Sequence, residues 1–185
     1  MNVIGAAFLA RQSSTIAEVG EAKWKAFLDK FSEREPYFKS TKILSITKVP
    51  IEPFLAMNDA LVAEFYNGDT QVYWRFGIKS GEWSLTSGPN KNVFKPGEYA
   101  RFLTYIPAIF ASYYDFGKVT LAPAEKYVDI QIADVPFKHV YFEYSIMGYA
   151  VGGFRLLGAS DVRYEALKGF SRRDDVVLYR YWLPR

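Results

Sequence analysis

Few side chains in this 185-residue sequence are suited to acid–base, nucleophilic or metal chemistry. There is no cysteine and one histidine, His139. Without thiols there is no disulfide framework, thiolate nucleophile or cysteine-ligated zinc or iron–sulfur centre. A single imidazole excludes multi-histidine metal sites and leaves little for Ser-His-Asp catalysis. Glu143 and Glu165 would form an acid–base pair only if the fold joined them, and salt bridges to Arg155 or Arg163 are the simpler expectation. No Gly-Lys-Ser/Thr follows a strand to cradle phosphate, and no Gly-x-Ser-x-Gly elbow is present. The residues point to a protein that is not an enzyme and holds no metal and no cofactor. An enzyme would have to work with Asp, Glu, Tyr and Lys alone.

Binding chemistry is better supplied. The chain carries 14 Tyr, 15 Phe and 4 Trp. Tyr105, Phe110, Tyr113, Tyr114 and Phe116 cluster in sequence, and a pocket with tyrosine tips suits an amphipathic ligand. Their simplest role is core packing, since aromatic stripes at helical spacing normally bury themselves. Gly148 and Gly152 lie one helical turn apart on one face, with Tyr149 between them. Each glycine costs a helix about 1 kcal/mol, so something must approach that face closely: the chain's own backbone, a partner helix or an acyl chain. The candidate ligand residues are therefore Tyr105, Phe110, Tyr114, Gly148, Tyr149 and Gly152.

The elements that would position these residues follow from periodicity. Residues 2–10 read as a first strand or extended entry. A helix over 16–31 places Trp24, Phe27, Leu28 and Phe31 on one face. Residues 43–49 are apolar and β-branched; Pro50 to Pro53 then open a helix carrying Phe54, Met57, Leu61 and Phe65. Asn67-Gly68-Asp69 breaks it, and Asp69 is a candidate N-cap for a helix over 70–86 with one bulky stripe and one small one (Gly77, Ser80, Gly81, Ser84). A helix over 96–114 contains Pro107, where a kink or break is expected. Strands are expected at 118–121 and 127–132, then a helix at 138–157 ending at Gly158, then strands at 161–167 and 176–183. The turn between the last two, with Arg172, Arg173, Asp174 and Asp175, reads as solvated.

Helices first and sheet later make an α+β protein, one domain over 1–185. The expected architecture is a twisted antiparallel sheet of about four strands with four to five helices packed mainly on one face. Net charge is +3, and no basic run exceeds Arg172-Arg173, which argues against nucleic acid. The longest apolar stretch, 146–157, is interrupted by Arg155 and too short to span a bilayer. The N-terminus lacks the basic start of a signal peptide, so a cytoplasmic location is expected.

The second half reads as a strand pair, a helix with Glu143-x4-Gly148-x3-Gly152-Gly153, then Gly158, a strand ending near Glu165, a turn and an aromatic strand. Earlier come Val19-Gly20-Glu21, Val49-Pro50, Trp74-x2-Gly77-x3-Gly81 and Tyr113-Tyr114-Asp115-Phe116-Gly117. In this order of elements, nearly the whole chain resembles the 4-vinyl reductase-like domain, a superfamily that includes TRAPP trafficking subunits and a relative of the haem–nitric-oxide sensors. The resemblance implies helices packed on a twisted antiparallel sheet, homodimers, and small or apolar ligands. Cysteines that some branches carry in the final hairpin are missing, so metal or redox roles tied to them do not carry over. A haem role would need an axial histidine. The sole one, His139, opens a helix beside Lys138, and there is no Tyr-x-Ser-x-Arg propionate clamp.

The function expected is a sensory or regulatory domain, homodimeric as the resemblance implies, that binds a small apolar or amphipathic molecule. A protein–protein adaptor with a solid core is the alternative, and an enzyme the third.

Overall fold

A computed structural model describes residues 1–184. The chain order is β1 (Asn2–Ile4), α1 (Gly5–Val19), α2 (Glu21–Ser32), α3 (Tyr37–Ser40), β2 (Lys48–Pro50), α4 (Ile51–Tyr66), α5 (Val72–Thr86), α6 (Tyr99–Tyr113), β3 (Lys118–Pro123), β4 (Val128–Ala133), α7 (Val140–Leu156), β5 (Arg163–Lys168) and β6 (Val177–Trp182). The fold is α+β, as the order of periodicities implies. The main sheet is antiparallel throughout, in the order β3-β4-β6-β5, and β1 pairs with β2 in a separate two-stranded ribbon.

The N-terminal third departs from the expected elements. Only Asn2–Ile4 is strand; the chain turns helical at Gly5 because Ala6, Ala7, Phe8, Leu9 and Ala10 favour helix and bury one face. The helix expected over 16–31 is in fact the end of α1 and all of α2. Gly20 separates them at φ +89, a backbone geometry that glycine adopts without steric penalty. With the short α3, this gives seven helices among the described residues where four to five were expected. Helix α6 runs continuously through Pro107, so of the expected kink or break the break does not occur. Asp69 accepts from the Gln71 amide at 2.9 Å, in the turn that leads into α5.

The core lies on one face of the sheet. Val128, Ile130 and Ile132 of β4 and Val177, Tyr179 and Tyr181 of β6 are buried, while the residues between them point outward. Across that buried face lies α7. Tyr181 donates to the Met147 carbonyl at 3.2 Å, and the Phe154 and Tyr181 rings meet edge to face. On its other side α7 packs against α5, and α1 packs on α5 in turn. Helix α7 is thus enclosed on both sides, which is why it is apolar almost all round.

The glycines of α5 and α7 make that enclosure possible. A Cβ at Gly77 or Gly81 would collide with the carbonyl of Ser145 or Tyr149 on α7. A Cβ at Gly148 or Gly152 would collide with the carbonyl of Trp74 or Ile78 on α5. The small stripe of each helix is filled by the backbone of the other. Gly153, next in line, makes room for the Phe102 ring of α6.

Candidate functional site

Where α1, α5, α6 and α7 meet, the packing leaves a cavity of about 50 Å³. Its apolar walls are Ala7 and Ala10 of α1, Ile106, Ile109 and Phe110 of α6, and Ile146 of α7. Polar groups come from Ser80, Tyr113, Tyr114, Tyr141, Ser145 and Tyr149. Ser80, Ile146 and Tyr149 are only partly buried, so on that side the cavity approaches the surface. The room suits a molecule of a few heavy atoms, well below the roughly 300–1,000 Å³ of drug-sized ligand sites.

The tyrosines fall into two pairs with different partners. Tyr149 donates to the Ser84 hydroxyl at 2.8 Å and Tyr113 at 3.2 Å, and the Asn90 amide also donates to Ser84. The hydroxyls of the second pair, Tyr114 and Tyr141, stand 3.3 Å apart, and both residues are buried. Burial is the main cause that pushes all four hydroxyls up in pKa, so they remain neutral phenols at physiological pH.

Behind the Tyr141 hydroxyl lies Arg11, 1% exposed. Its Nε donates to Asn58 Oδ1 at 2.8 Å, and Asn58 is held in that orientation because its own amide nitrogen donates to the Phe54 carbonyl. The guanidinium carbon sits 3.7 Å over the centre of the Phe76 ring, a cation–π contact. Nη1 has no hydrogen-bond partner among the described residues, and Arg11 forms no salt bridge there. Desolvation pulls the Arg11 pKa down to about 10, so the group still carries its charge at neutral pH. A buried charge without a counter-charge costs several kcal/mol. Arg11 was not singled out in the sequence, although a signal was there: no Asp or Glu lies within four residues of it on an alanine-rich helix.

The structure distributes the sequence candidates unevenly. Phe110, Tyr114 and Tyr149 line the cavity together. Tyr105, 43% exposed, lies on the outer side of α6 against Phe94 and Arg101. Gly148 and Gly152 face the α5 backbone. His139 is the N-cap of α7: Nδ1 accepts from the Tyr141 amide at 3.1 Å, and Nε2 lies 3.1 Å from Asp59 Oδ2. Tyr73 donates to the other Asp59 oxygen at 2.5 Å. Burial raises the Asp59 pKa, but hydrogen bonds from His139 and Tyr73 outweigh it and leave the carboxyl below its usual range.

Glu143 and Glu165 are not a pair, and the expected arginine bridges do not form at Glu143. This buried carboxylate accepts from the Ser171 amide at 2.7 Å, the Ser171 hydroxyl at 3.0 Å and the Tyr179 hydroxyl at 2.9 Å. It fastens the β5–β6 connection to α7. Glu165 sits on β5 opposite Arg180, which itself forks onto Asp129.

No protein-family model and no curated protein matches the sequence. Solved structures do match in fold. An H-NOX protein from S. oneidensis in the Fe(II)NO ligation state superposes with a TM-score of 0.78 at 11% identity, over 98% of this chain and 99% of that one. The NMR structure of an H-NOX domain from Shewanella oneidensis in the Fe(II)CO state gives 0.72 at 10% identity, over 100% and 99%. A structure probing haem distortion in the H-NOX family gives 0.67 at 11%, over 98% and 95%. At such identities the likeness establishes the fold.

A haem does not fit the residues present. The one histidine is outside the cavity lining, with both ring nitrogens engaged. There is no cysteine. Tyrosine ligates iron as phenolate, the form that burial disfavours at all four cavity tyrosines. The cavity itself is far smaller than a porphyrin.

Proposed function

We propose that residues 1–185 act as one non-enzymatic, sensor-type domain that takes a small apolar or amphipathic molecule, without haem, in the cavity between α1, α5, α6 and α7. The observation that carries this reading is the cavity itself: mostly apolar walls, with four tyrosines and two serines among the lining residues. That is the composition of a ligand site, in which a few placed polar groups orient a mostly apolar guest. The H-NOX likeness in fold supports a sensor over a catalyst. So does the distribution of acid–base groups: Glu143 is consumed by Ser171 and Tyr179, and the Asp59–His139 pair lies outside the cavity lining.

Xenon and short alcohols are suitable probes, read by NMR shifts of the Ala7, Ala10, Ile109 and Ser145 backbone amides. Saturable shifts centred on these residues are expected, and Ile109→Trp, which fills the cavity, should remove them. Absence of saturation with every probe would dismiss the cavity as a binding site. Incubation with hemin followed by gel filtration should leave no haem absorbance with the protein. Stoichiometric retention would overturn the haem-free reading.

A further inference from the structure

We propose that the molecule this cavity selects is a small carboxylic acid in its anionic form, with its carboxylate against the Tyr114 and Tyr141 hydroxyls and its charge balanced by Arg11. The inference rests on the cavity reading above and adds the chemical class of the guest.

Four observations converge on it. Arg11 is fully buried, its Nε donates to a neutral amide, and Nη1 has no partner among the described residues. An uncompensated cation in that position favours a nearby anion. Second, Ala7 and Ala10, one turn before Arg11 and adjacent to it on α1, are themselves cavity wall. Arg11 itself is not a lining residue, but its charge acts on both lining tyrosines, Tyr114 and Tyr141, across a buried interior where screening is weak.

Third, only one of the two hydroxyl pairs is free to serve a guest. Tyr113 and Tyr149 both donate to Ser84. Tyr114 and Tyr141 are hydrogen-bonded to each other, with Arg11 beside Tyr141, and within such a pair a single proton bridges the oxygens. The other proton remains available. Arginine has no acceptor and can only donate to the Tyr141 oxygen, so the remaining hydroxyl proton of the pair is offered beside a positive charge. It is matched to an acceptor that carries negative charge. Fourth, the size is restrictive. The cavity is about 50 Å³, against about 150 Å³ for an apolar cavity that holds benzene. A carboxylate with a short alkyl tail fits this combination of a polar end and the Ile106, Ile109 and Phe110 wall.

The test is a titration of the full chain with acetate, propionate and butyrate, each against its primary amide, which matches it in shape and lacks the charge. Binding is read from the Arg11 Nε–H resonance and the backbone amides of Ala7, Ala10, Tyr114 and Tyr141. The acids should bind about tenfold more tightly than the amides, or better, the difference expected for a hydrogen bond that gains a charge. Arg11→Met should abolish that preference while amide binding persists. Tyr114→Phe, which keeps the ring in contact with Phe110, should reduce the preference too, and it serves if Arg11→Met fails to fold. Equal affinity of acid and amide in the unmodified chain, or an undiminished preference in both variants, overturns the charge assignment and leaves the cavity reading standing. Failure of acids, amides and xenon alike overturns the cavity reading, and this inference with it.

Discussion

Gly77 of α5 lies so close to Ser145 of α7 that the Ser145 carbonyl occupies the place a Cβ would take. Gly148 repeats the contact in reverse, against the Trp74 carbonyl. Two backbones in contact over several turns cannot yield by rotating a side chain, so an added methyl forces the helices apart. Gly77→Ala and Gly148→Ala are each expected to destabilise by about 1–3 kcal/mol, as overpacked cores do. For a chain of this size that is a fall in Tm of about 2–4 °C per kcal/mol, measurable by circular dichroism. Gains in stability from the higher helix propensity of alanine would show that the two helices are not held by this contact.

The N-terminus of α7 depends on His139, whose Nδ1 accepts from the Tyr141 amide while Nε2 faces Asp59. The acceptor role requires Nδ1 to be unprotonated, so the proton is on Nε2 and directed to the carboxylate. His139→Asn keeps a capping acceptor and is expected to cost little. His139→Ala loses the cap and should cost about 1 kcal/mol. Chemical denaturation of the two variants checks this, and equal losses would mean that packing against Tyr73, not capping, is what His139 contributes.

The sheet and its helix were legible because their periods were clean. Val128, Ile130 and Ile132 alternate against Asp129 and Gln131, and the observed strand is shifted by one residue from the expected one. The glycine stripes of α5 and α7 were legible as signs of close approach. That they fill each other could not be read, because two sequence-distant stripes carry no mark of pairing. The N-terminal helices were misjoined because Gly20 breaks a pattern whose apolar residues continue on either side. Of the cavity-lining residues, Phe110 and Tyr114 were named as aromatics at helical spacing and Tyr149 as the residue between the two glycines. Tyr105, five residues before Phe110 and so on a different side of the helix, is exposed on α6. Arg11 was missed because buried charge is exceptional, and its neutral partner Asn58 lies 47 residues away.

Tyrosine burial gives the protein a defined alkaline limit. Tyr66 is pushed up to about 12, first by desolvation and then by its bond to Glu18, and Tyr73, Tyr149 and Tyr179 are also raised by burial. A tyrosine with a raised pKa binds more protons folded than unfolded above its ordinary pKa, about 10. Stability is therefore intact below that pH and falls as pH rises beyond it. Arg11 has the opposite sign: its folded pKa, about 10, lies below the unfolded value, so its burial penalty is relieved over the same window. The several raised tyrosines outweigh this one group. Denaturant midpoints should be flat through neutral pH and drop above about pH 10, with tyrosinate absorbance appearing together with unfolding. Tyrosinate absorbance that develops fully in the native state would contradict the burial of these hydroxyls.

Glu143 offers the sharpest single-atom test of how the sheet is fastened to α7. Its carboxylate accepts three hydrogen bonds, from the Ser171 amide, the Ser171 hydroxyl and the Tyr179 hydroxyl, and it supplies no donor. Glu143→Gln is nearly the same size but replaces one acceptor oxygen with an NH2 group. Whichever way the amide turns, that group meets a donor, and at least one donor loses its partner. The expected cost is about 1–3 kcal/mol. Because Ser171 lies in the β5–β6 connection, hydrogen exchange at its amide should quicken while the amides of β4 keep their protection. A loss of protection spread evenly over the sheet would instead mean that Glu143 supports the whole core and not this one attachment.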